Sequence, residues 1–207
     1  MKKHESIRIF KNPVLESLTH VHPLVPLLLW TPVILFLFWR SILFHELSVK
    51  EIGQWMVIGL LSWTLTEYLL HRFAFHYPAK SKFGKRLIFL FHGLHHDDPQ
   101  DPTRLVFPPV PAMIIVFLLY CFFGLFIGER YHQLFMACFL IGYLCYDYIH
   151  YATHHFKMTS KIGHYLRAYH LKHHYSHHPQ KYGVSNPLWD YLLGTVKSPK
   201  ALEKKQA

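Results

Sequence analysis

Four apolar stretches constrain how this 207-residue chain can fold. Each has about 17 to 20 residues, close to the length that an α-helix needs to cross the hydrocarbon core of a bilayer. Four helices of this kind are hard to bury in one soluble core, so the pattern predicts a multi-pass membrane protein. The four predicted crossings are residues 23–39, 52–70, 108–127 and 132–149.

The basic residues divide unevenly between the two sides that four crossings create. Of the 22 lysines and arginines, only Arg40, Lys50 and Arg130 fall in the two short connections on one side. Cytoplasmic loops of membrane proteins carry an excess of Lys and Arg. We therefore expect both termini and the segment 71–107 in the cytoplasm, at the endoplasmic reticulum or a bacterial inner membrane. The net charge of +10 then reflects topology, and we expect no nucleic-acid partner.

Histidine is concentrated on the same predicted cytoplasmic side. Only His45 and His132 of the 19 histidines lie on the other side. Ten of the remainder form the motifs HRFAFH, HGLHH, HYATH and HLKHH. These ten are His71, His76, His92, His95, His96, His150, His154, His170, His173 and His174. HxxHH and HxxxH place their rings on one face of a helix. HxxxxH separates them by about 140° on an ideal helix, so this motif is predicted to span a helix end.

Ten imidazoles are too many for a single metal ion. A tetrahedral zinc ion takes three or four ligands, whereas two ions of higher coordination number take roughly eight to ten. The spacing therefore predicts an all-α membrane protein with four transmembrane helices and a cytoplasmic helical cap that holds a dinuclear site. Imidazole suits iron, zinc and copper, so the motifs alone leave the metal open. The predicted ligand set omits His155, His164, His177 and His178.

Two carboxylates lie about one helical turn before a histidine motif. Glu67 precedes His71 by four residues, and Asp147 precedes His150 by three. Each is placed to orient a ligand ring from behind. A carboxylate within a membrane crossing is costly unless it is paired, which favours this role for Glu67. A simple charge at a helix end is the alternative for Asp147.

The four motifs together resemble the histidine boxes of the fatty acid hydroxylase/sterol desaturase superfamily of membrane di-iron oxygenases. The stretches "HGLHHDDPQDPTRLVFPPVPA" (92–112) and "HLKHHYSHHPQKYGVSNPLWDYLLGT" (170–195) are similar to the fatty acid 2-hydroxylases. The resemblance covers about residues 60–196. It implies that the ten histidines bind two iron ions, which zinc could replace in a purified sample. It also implies O2-dependent hydroxylation at C2 of a fatty acyl chain, as a free fatty acid or within a ceramide or sphingolipid.

The source of electrons is a further expectation. Many eukaryotic members of the family carry an N-terminal cytochrome b5 domain with an HPGG motif, which is absent from this sequence. We therefore expect one domain over residues 1–207 and a separate electron donor, cytochrome b5-like or ferredoxin-like. The prolines of RLVFPPVPA favour an extended chain, and Val106 and Phe107 are predicted to lie beside the lipid path. Ordinary packing at the membrane interface is the alternative for both residues.

Three alternatives compete with this interpretation. A sterol methyl oxidase or a carotenoid hydroxylase would share the histidine motifs, but the RLVFPP and GVSNPLWD contexts argue against both. A metal transporter should place its ligands near the middle of the membrane. A membrane zinc hydrolase needs fewer ligands and a general base, and the HExxH motif is absent.

Overall fold

The structure, a computed structural model, describes residues 5–176 and 180–197, and these residues contain helices and connections but no strand. The prediction of an all-α fold is confirmed for this part of the chain. Its α-helices are α1 (Pro13–Ser17), α2 (Val25–His45), α3 (Val49–Leu69), α4 (Lys82–Ile88), α5 (Leu94–Asp97), α6 (Pro109–Gly124), α7 (Glu129–His155), α8 (Lys161–His174) and α9 (Leu188–Leu192). Two π-helical segments, Leu70–Phe75 and Phe89–Gly93, directly follow α3 and α4.

The four long helices coincide with the four predicted crossings, but they differ in apolar character. Only α2 and α7, among the described residues, are long and apolar enough to qualify as membrane spans. Helix α6 is apolar but has 16 residues. Helix α3 has 21 residues, but polar residues such as Gln54 and Glu67 interrupt it, and it does not qualify. The expectation of four transmembrane helices is therefore met only in part.

Short connections make neighbouring long helices antiparallel. Residues 46–48 join α2 to α3, and residues 125–128 join α6 to α7. The start of α3 is fixed by a capping box, in which the Ser48 side chain accepts from the Glu51 N–H and the Glu51 carboxylate accepts from the Ser48 N–H. Such a box satisfies two backbone donors that the first helical turn leaves unpaired.

Two glycines allow α3 and α7 to pack closely. A Cβ at Gly59 of α3 would lie 2.7 Å from the carbonyl oxygen of Phe135, and one at Gly142 of α7 would lie 2.6 Å from the Cβ of Trp63. Small residues at helix crossings permit this approach of backbones in membrane bundles. Helix α7 is consequently the most buried of the four, and the aromatic rings of Trp63 and Phe139 meet edge to face beside the crossing.

The remaining helices gather at one end of the bundle. Helix α7 continues six residues beyond the predicted crossing, to His155, so the HYATH motif is helical over its whole length. Helix α8 packs against this end of α7, and α9 packs against α3. The carboxyl ends of α3 and α7 are thereby covered by a cap of short helices, which brings the histidine motifs together.

Candidate metal centre

Ten histidines meet beneath the cap in two groups of five. The first cluster consists of His71, His76, His92, His96 and His173. The second cluster consists of His95, His150, His154, His170 and His174. Within each cluster, the potential ligand nitrogens all lie within 4.8 Å of one another. The structure thus brings together all ten histidines of the four motifs.

Each HxxHH motif contributes to both clusters. The outer pair of HGLHH, His92 and His96, belongs to the first cluster, whereas His95 belongs to the second. The HLKHH motif on α8 has the reverse arrangement, with His173 alone in the first cluster. Residues four apart share a helix face more closely than residues three apart. The i, i+4 pair therefore enters one cluster, and the i+3 ring crosses to the other.

A π-helical turn brings the two histidines of HRFAFH together. The backbone N–H of His76 donates to the carbonyl of His71, five residues earlier, at 3.2 Å. This wider turn replaces the α-helical geometry that would separate the rings, and their centroids lie 5.1 Å apart. Single π-helical turns are frequent at functional sites. The motif therefore remains helical to Phe75, beyond the end of α3 at Leu69.

The ring nitrogens of the first cluster converge with their lone pairs inward. His71 donates from Nδ1 to the carbonyl of Tyr182 at 2.5 Å, and His173 donates from Nδ1 to the carbonyl of Gln180 at 2.7 Å. A carbonyl can only accept, so Nε2 of each neutral ring carries the lone pair. His71 Nε2 lies 3.0 Å from His92 Nε2, and His173 Nε2 lies 3.2 Å from His96 Nε2.

The second cluster repeats this convergence. His150 Nε2 lies 2.9 Å from His95 Nε2, and His170 Nε2 lies 2.9 Å from His154 Nε2 and 3.0 Å from His174 Nε2. So many facing nitrogens cannot all be satisfied by hydrogen bonds, because each neutral imidazole has a single N–H. A cation at the centre of each cluster would accept every lone pair, so the donor sets fit two metal ions.

Burial keeps these imidazoles neutral. Burial lowers the pKa of His76 to about 4, with a further contribution from repulsion by His96. It also lowers the pKa of His96 to about 4. The pKa of His173 falls to about 3 through burial and through repulsion by His76 and His96. Metal ions bind the neutral imidazole, so the site is ready for metal at neutral pH.

Glu67 acts on the first cluster through a loop and not by direct contact with His71. Its carboxylate accepts from the N–H of Val184 at 2.6 Å, and from both the N–H and the hydroxyl of Ser185. These contacts fix the loop whose Tyr182 carbonyl orients the His71 ring. Only 3% of Glu67 is exposed. Burying a carboxylate is costly unless it is hydrogen-bonded, and these three donors offset that cost.

Asp190 holds the same loop from the other side, and the sequence-based prediction omitted it. It is fully buried and accepts from the backbone N–H of Tyr182 at 2.9 Å and of Gly183 at 2.7 Å. The hydroxyl of Thr195 also donates to it at 2.6 Å. The only signal in the sequence was its position in the GVSNPLWD stretch, since an isolated Asp gives no indication of contacts eight residues away.

Asp147 fixes the chain that leads into α6. It accepts from the backbone N–H of Phe107 and from the hydroxyl of Tyr143, each at 3.3 Å. Phe107 is one of the residues predicted to lie beside the lipid path. Because Asp147 lies one turn before His150 on α7, it connects this stretch of chain to the second cluster.

The histidines outside the predicted set have other surroundings. The His155 ring packs on Tyr151, with centroids 4.6 Å apart, and His164 is exposed on α8. Far from both clusters, His132 faces the carbonyl of Tyr120 at 3.0 Å. His177 and His178 lie outside the described residues.

An apolar cavity of about 340 Å³ opens onto both clusters. His92 of the first cluster and His95 and His150 of the second form part of its wall. Most of the remaining wall is apolar and includes Val106 and Phe107, the two residues predicted to lie beside the lipid path. The cavity therefore places a bound apolar molecule against the potential ligands of both metal ions.

Comparison with known proteins identifies the relatives of this chain. The model of the fatty acid hydroxylase family matches residues 56–195. The chain belongs to the fatty acid hydroxylase family. It is 39% identical to the fatty acid 2-hydroxylase of Rattus norvegicus, over 97% of this chain and 59% of that protein. It is 35% identical to the dihydroceramide fatty acyl 2-hydroxylase FAH2 of Arabidopsis thaliana, over 97% of this chain and 84% of that protein.

A solved structure shares the fold of this fatty acid hydroxylase. It is described as full-length scs7p with only the hydroxylase domain visible, and it superimposes with a TM-score of 0.86 at 32% identity. The match covers 94% of this chain and 73% of that one. The family resemblance inferred from the histidine motifs is thereby confirmed. The chain spans about three-fifths of the rat relative's length.

Proposed function

We propose that this chain is a membrane fatty acid 2-hydroxylase, which adds one oxygen atom of O2 at C2 of a fatty acyl chain. The observation that carries the proposal is the apolar cavity that reaches His92, His95 and His150, because it places an acyl chain against both clusters. The reaction consumes O2, two electrons and two protons, and it yields the hydroxylated chain and water.

Iron is the metal that we propose for both clusters. Two bound iron ions would supply the redox chemistry that activates O2, which redox-inert zinc cannot supply even if it occupies the same imidazoles. His71, His76, His92, His96 and His173 would hold one ion, and His95, His150, His154, His170 and His174 the other. The loop held by Glu67 and Asp190 fixes the His71 ring through the Tyr182 carbonyl.

The substrate that we propose is an acyl chain amide-linked in a ceramide or a dihydroceramide, or a free fatty acid. Relatives of this chain are described as fatty acid and dihydroceramide fatty acyl 2-hydroxylases. The cavity suits such a substrate, since apolar walls lead to the imidazoles while Asp147 holds the Phe107 backbone in place. Exclusion of water by these walls protects the reacting centre from side reactions.

Helices α2, α3, α6 and α7 are proposed to cross the membrane, with the cap and both clusters at the cytoplasmic face. The large excess of Lys and Arg at this face supports the orientation. Large apolar residues exposed on the outer surfaces of the bundle, such as Phe36, Phe117 and Leu118, support contact with lipid. We further propose that residues 1–207 form one domain and that a separate protein delivers the electrons.

The position of the clusters disfavours the metal-transporter alternative. Transporters bind ions near the middle of the membrane, along a path between two sides. Here all ten imidazoles lie at the carboxyl ends of α3 and α7 or in the cap. A chain of ligands running through the bundle is absent from the described residues.

Lipid mass spectrometry tests the proposed function. Cells that express the chain should accumulate acyl lipids heavier by about 16 Da, with the hydroxyl at C2. His173→Ala should abolish this product, because His173 contributes its lone pair to the first cluster. His45→Ala is the matched control, since His45 lies about 30 Å away at the far end of α2 if that helix spans the bilayer. A hydroxyl at another carbon, or equal product from both variants, would refute the proposal.

A further inference from the structure

A second, smaller cavity lies between α3, α6 and α7, next to the cavity that reaches the clusters. Its volume is about 40 Å³, against about 340 Å³ for the larger one. Its wall is almost entirely apolar and includes Trp63 of α3, Ala112, Val116 and Leu119 of α6, and Tyr143 of α7. Glu67 also borders it, but hydrogen bonds to Val184 and Ser185 engage both of its carboxylate oxygens.

Only one layer of side chains separates the small cavity from the first cluster. Phe75, Phe107 and Tyr146 line both cavities. The Phe75 ring stacks on the His92 ring with centroids 5.3 Å apart, and on Phe107 with centroids 6.0 Å apart. A small molecule that passes Phe75 therefore arrives directly at a ring of the first cluster.

The size and polarity of the small cavity select its ligand. One water-sized probe needs about 10–15 Å³, so the cavity has room for a diatomic gas and not for a length of acyl chain. Apolar cavities bind small apolar ligands such as xenon in preference to water. Because hydrogen bonds already engage the Glu67 carboxylate and the rest of the wall is almost entirely apolar, the chemical class that fits the cavity is a small apolar gas.

We propose that this cavity is a dioxygen site on a route from the bilayer to the metal centre. The inference rests on the proposed function, which consumes O2. An acyl chain in the larger cavity would cover the approach to His92, His95 and His150, so dioxygen needs a separate path. Dioxygen is apolar and favours hydrocarbon over water, and the cavity lies between α3, α6 and α7, three of the helices proposed to cross the bilayer.

Xenon binding tests the site without catalysis. Crystals of the metal-loaded full-length protein, pressurised with xenon, should show an anomalous peak between Trp63, Val116 and Leu119. Ala112→Phe should remove the peak, because the added ring fills the cavity. Val110→Phe is the matched control, since Val110 lies on the same helix but is 61% exposed. The xenon peak should remain in this variant. A wild-type protein without xenon at this position overturns the inference.

Steady-state kinetics tests the route. Ala112→Phe, and the milder Val116→Leu that adds one methylene, should raise the KM for O2 at least about threefold, with kcat at saturating O2 and the KM for the acyl substrate unchanged. Val110→Phe should leave all three constants unchanged. An unchanged KM for O2, or an altered preference for acyl chain length, overturns the inference. Failure of the wild type to form 2-hydroxylated product would refute the proposed function, whereas the xenon result would still report on the cavity.

Discussion

His96 stacks on His174 with ring centroids 4.2 Å apart and ring planes inclined by 24°, although the two belong to different clusters. The stack is the tightest ring contact between the two clusters, since His95 and His96 lie 5.9 Å apart and His173 and His174 lie 5.7 Å apart. The two proposed metal positions are therefore connected through stacked imidazole rings, and we expect metal binding at one cluster to affect metal binding at the other.

This stack predicts that loss of His96 affects both metal ions. His96→Ala should lower metal affinity at the first cluster by at least about tenfold, because a ligand is lost. It should also weaken the second cluster, because His174 loses the ring that holds it. His76→Ala is the matched control, since the His76 ring contacts His71, His92, His96 and His173 but no ring of the second cluster. Anomalous scattering at each position measures the two occupancies, and a full second cluster in His96→Ala would contradict the coupling.

A second prediction concerns Glu67 and the loop that it holds. Glu67→Ala leaves the buried N–H of Val184 and the N–H and hydroxyl of Ser185 without their acceptor. An unsatisfied buried donor costs about 1–3 kcal/mol, and the two donors of Ser185 cost less because they are only partly buried, so the free energy of unfolding should fall by about 2–5 kcal/mol. Metal binding at the first cluster should weaken as well, since Tyr182 no longer fixes His71.

Thermal unfolding together with metal analysis checks this prediction. Glu67→Gln should lose less, because its amide oxygen can still accept. Glu51→Ala provides a control on the same helix, since Glu51 pairs with Arg130 and Tyr131 at the opposite end. If Glu67→Ala and Glu51→Ala retained equal metal content, Glu67 would have no role in the first cluster.

The histidine spacing predicts that ten histidines lie together, as the structure shows, but it does not predict their division into two clusters. His95 and His96 are adjacent in the sequence, yet they belong to different clusters, because the opposing rings of α7 and α8 decide which ring completes which group. Likewise, HxxxxH predicts divergent rings on an ideal helix, and only the π-helical turn of Leu70–Phe75 brings them together. Tertiary contacts, and not local pattern, set both features.

The apolar pattern located the long helices well and their ends less well. It placed the fourth crossing at 132–149, whereas α7 spans Glu129–His155. The last turns of α7 contain polar residues that face the cap, so the apolar stretch ends before the helix does. The position of Glu67 one turn before His71 suggested that it orients a ligand ring, but its hydrogen-bond partners lie more than 100 residues away in the sequence, beyond what spacing can show.

A third prediction concerns Arg104, which fastens the N-terminal segment over the larger cavity. Its guanidinium lies 2.6 Å from the Glu16 carboxylate, contacts His20 and donates to the carbonyl of Ile7. Phe10, on this segment, lines the cavity. Arg104→Ala should therefore release the segment, speed its amide hydrogen exchange, and relax selectivity for the acyl chain.

Hydrogen exchange followed by mass spectrometry, with product analysis over a series of acyl chain lengths, measures these effects. Arg130→Ala removes an arginine that pairs with Glu51 near the far end of the bundle. It should leave both the exchange of the N-terminal segment and the selectivity unchanged. An N-terminal segment that stays protected in Arg104→Ala would show that other contacts hold it.

A fourth prediction concerns membrane topology. With four crossings, a reporter fused after Ala207 should be cytoplasmic, and one inserted in the connection 125–128 should face the other side. Residues 198–207 lie outside the described part of the chain, so the expectation rests on parity and on the distribution of Lys and Arg. Enzymatic reporters active on one side only make the measurement. An external reporter at residue 207 would mean that one of the four helices does not cross.

The last prediction concerns the pH dependence of the metal-free protein. Burial lowers the pKa of His76 and His96 to about 4 and that of His173 to about 3. A histidine in the unfolded chain has a pKa of about 6.5. Between these values the unfolded state binds more protons than the folded state, so the free energy of unfolding decreases as the pH falls. Stability from these neutral rings is thus complete above about pH 6.5 and is lost progressively toward pH 4.

Thermal unfolding of metal-free and metal-loaded protein between pH 8 and pH 4 tests this linkage. The metal-free midpoint should fall steeply below about pH 6.5. In the metal-loaded protein the fall should begin at lower pH, because bound metal competes with protons for the same lone pairs. His173→Asn removes one of the titrating rings and should make the metal-free pH dependence shallower, whereas His164→Asn, at an exposed position of α8, should leave it unchanged. A metal-free midpoint that is constant down to pH 5 would mean that the ten imidazoles are not held in the buried, neutral arrangement described here.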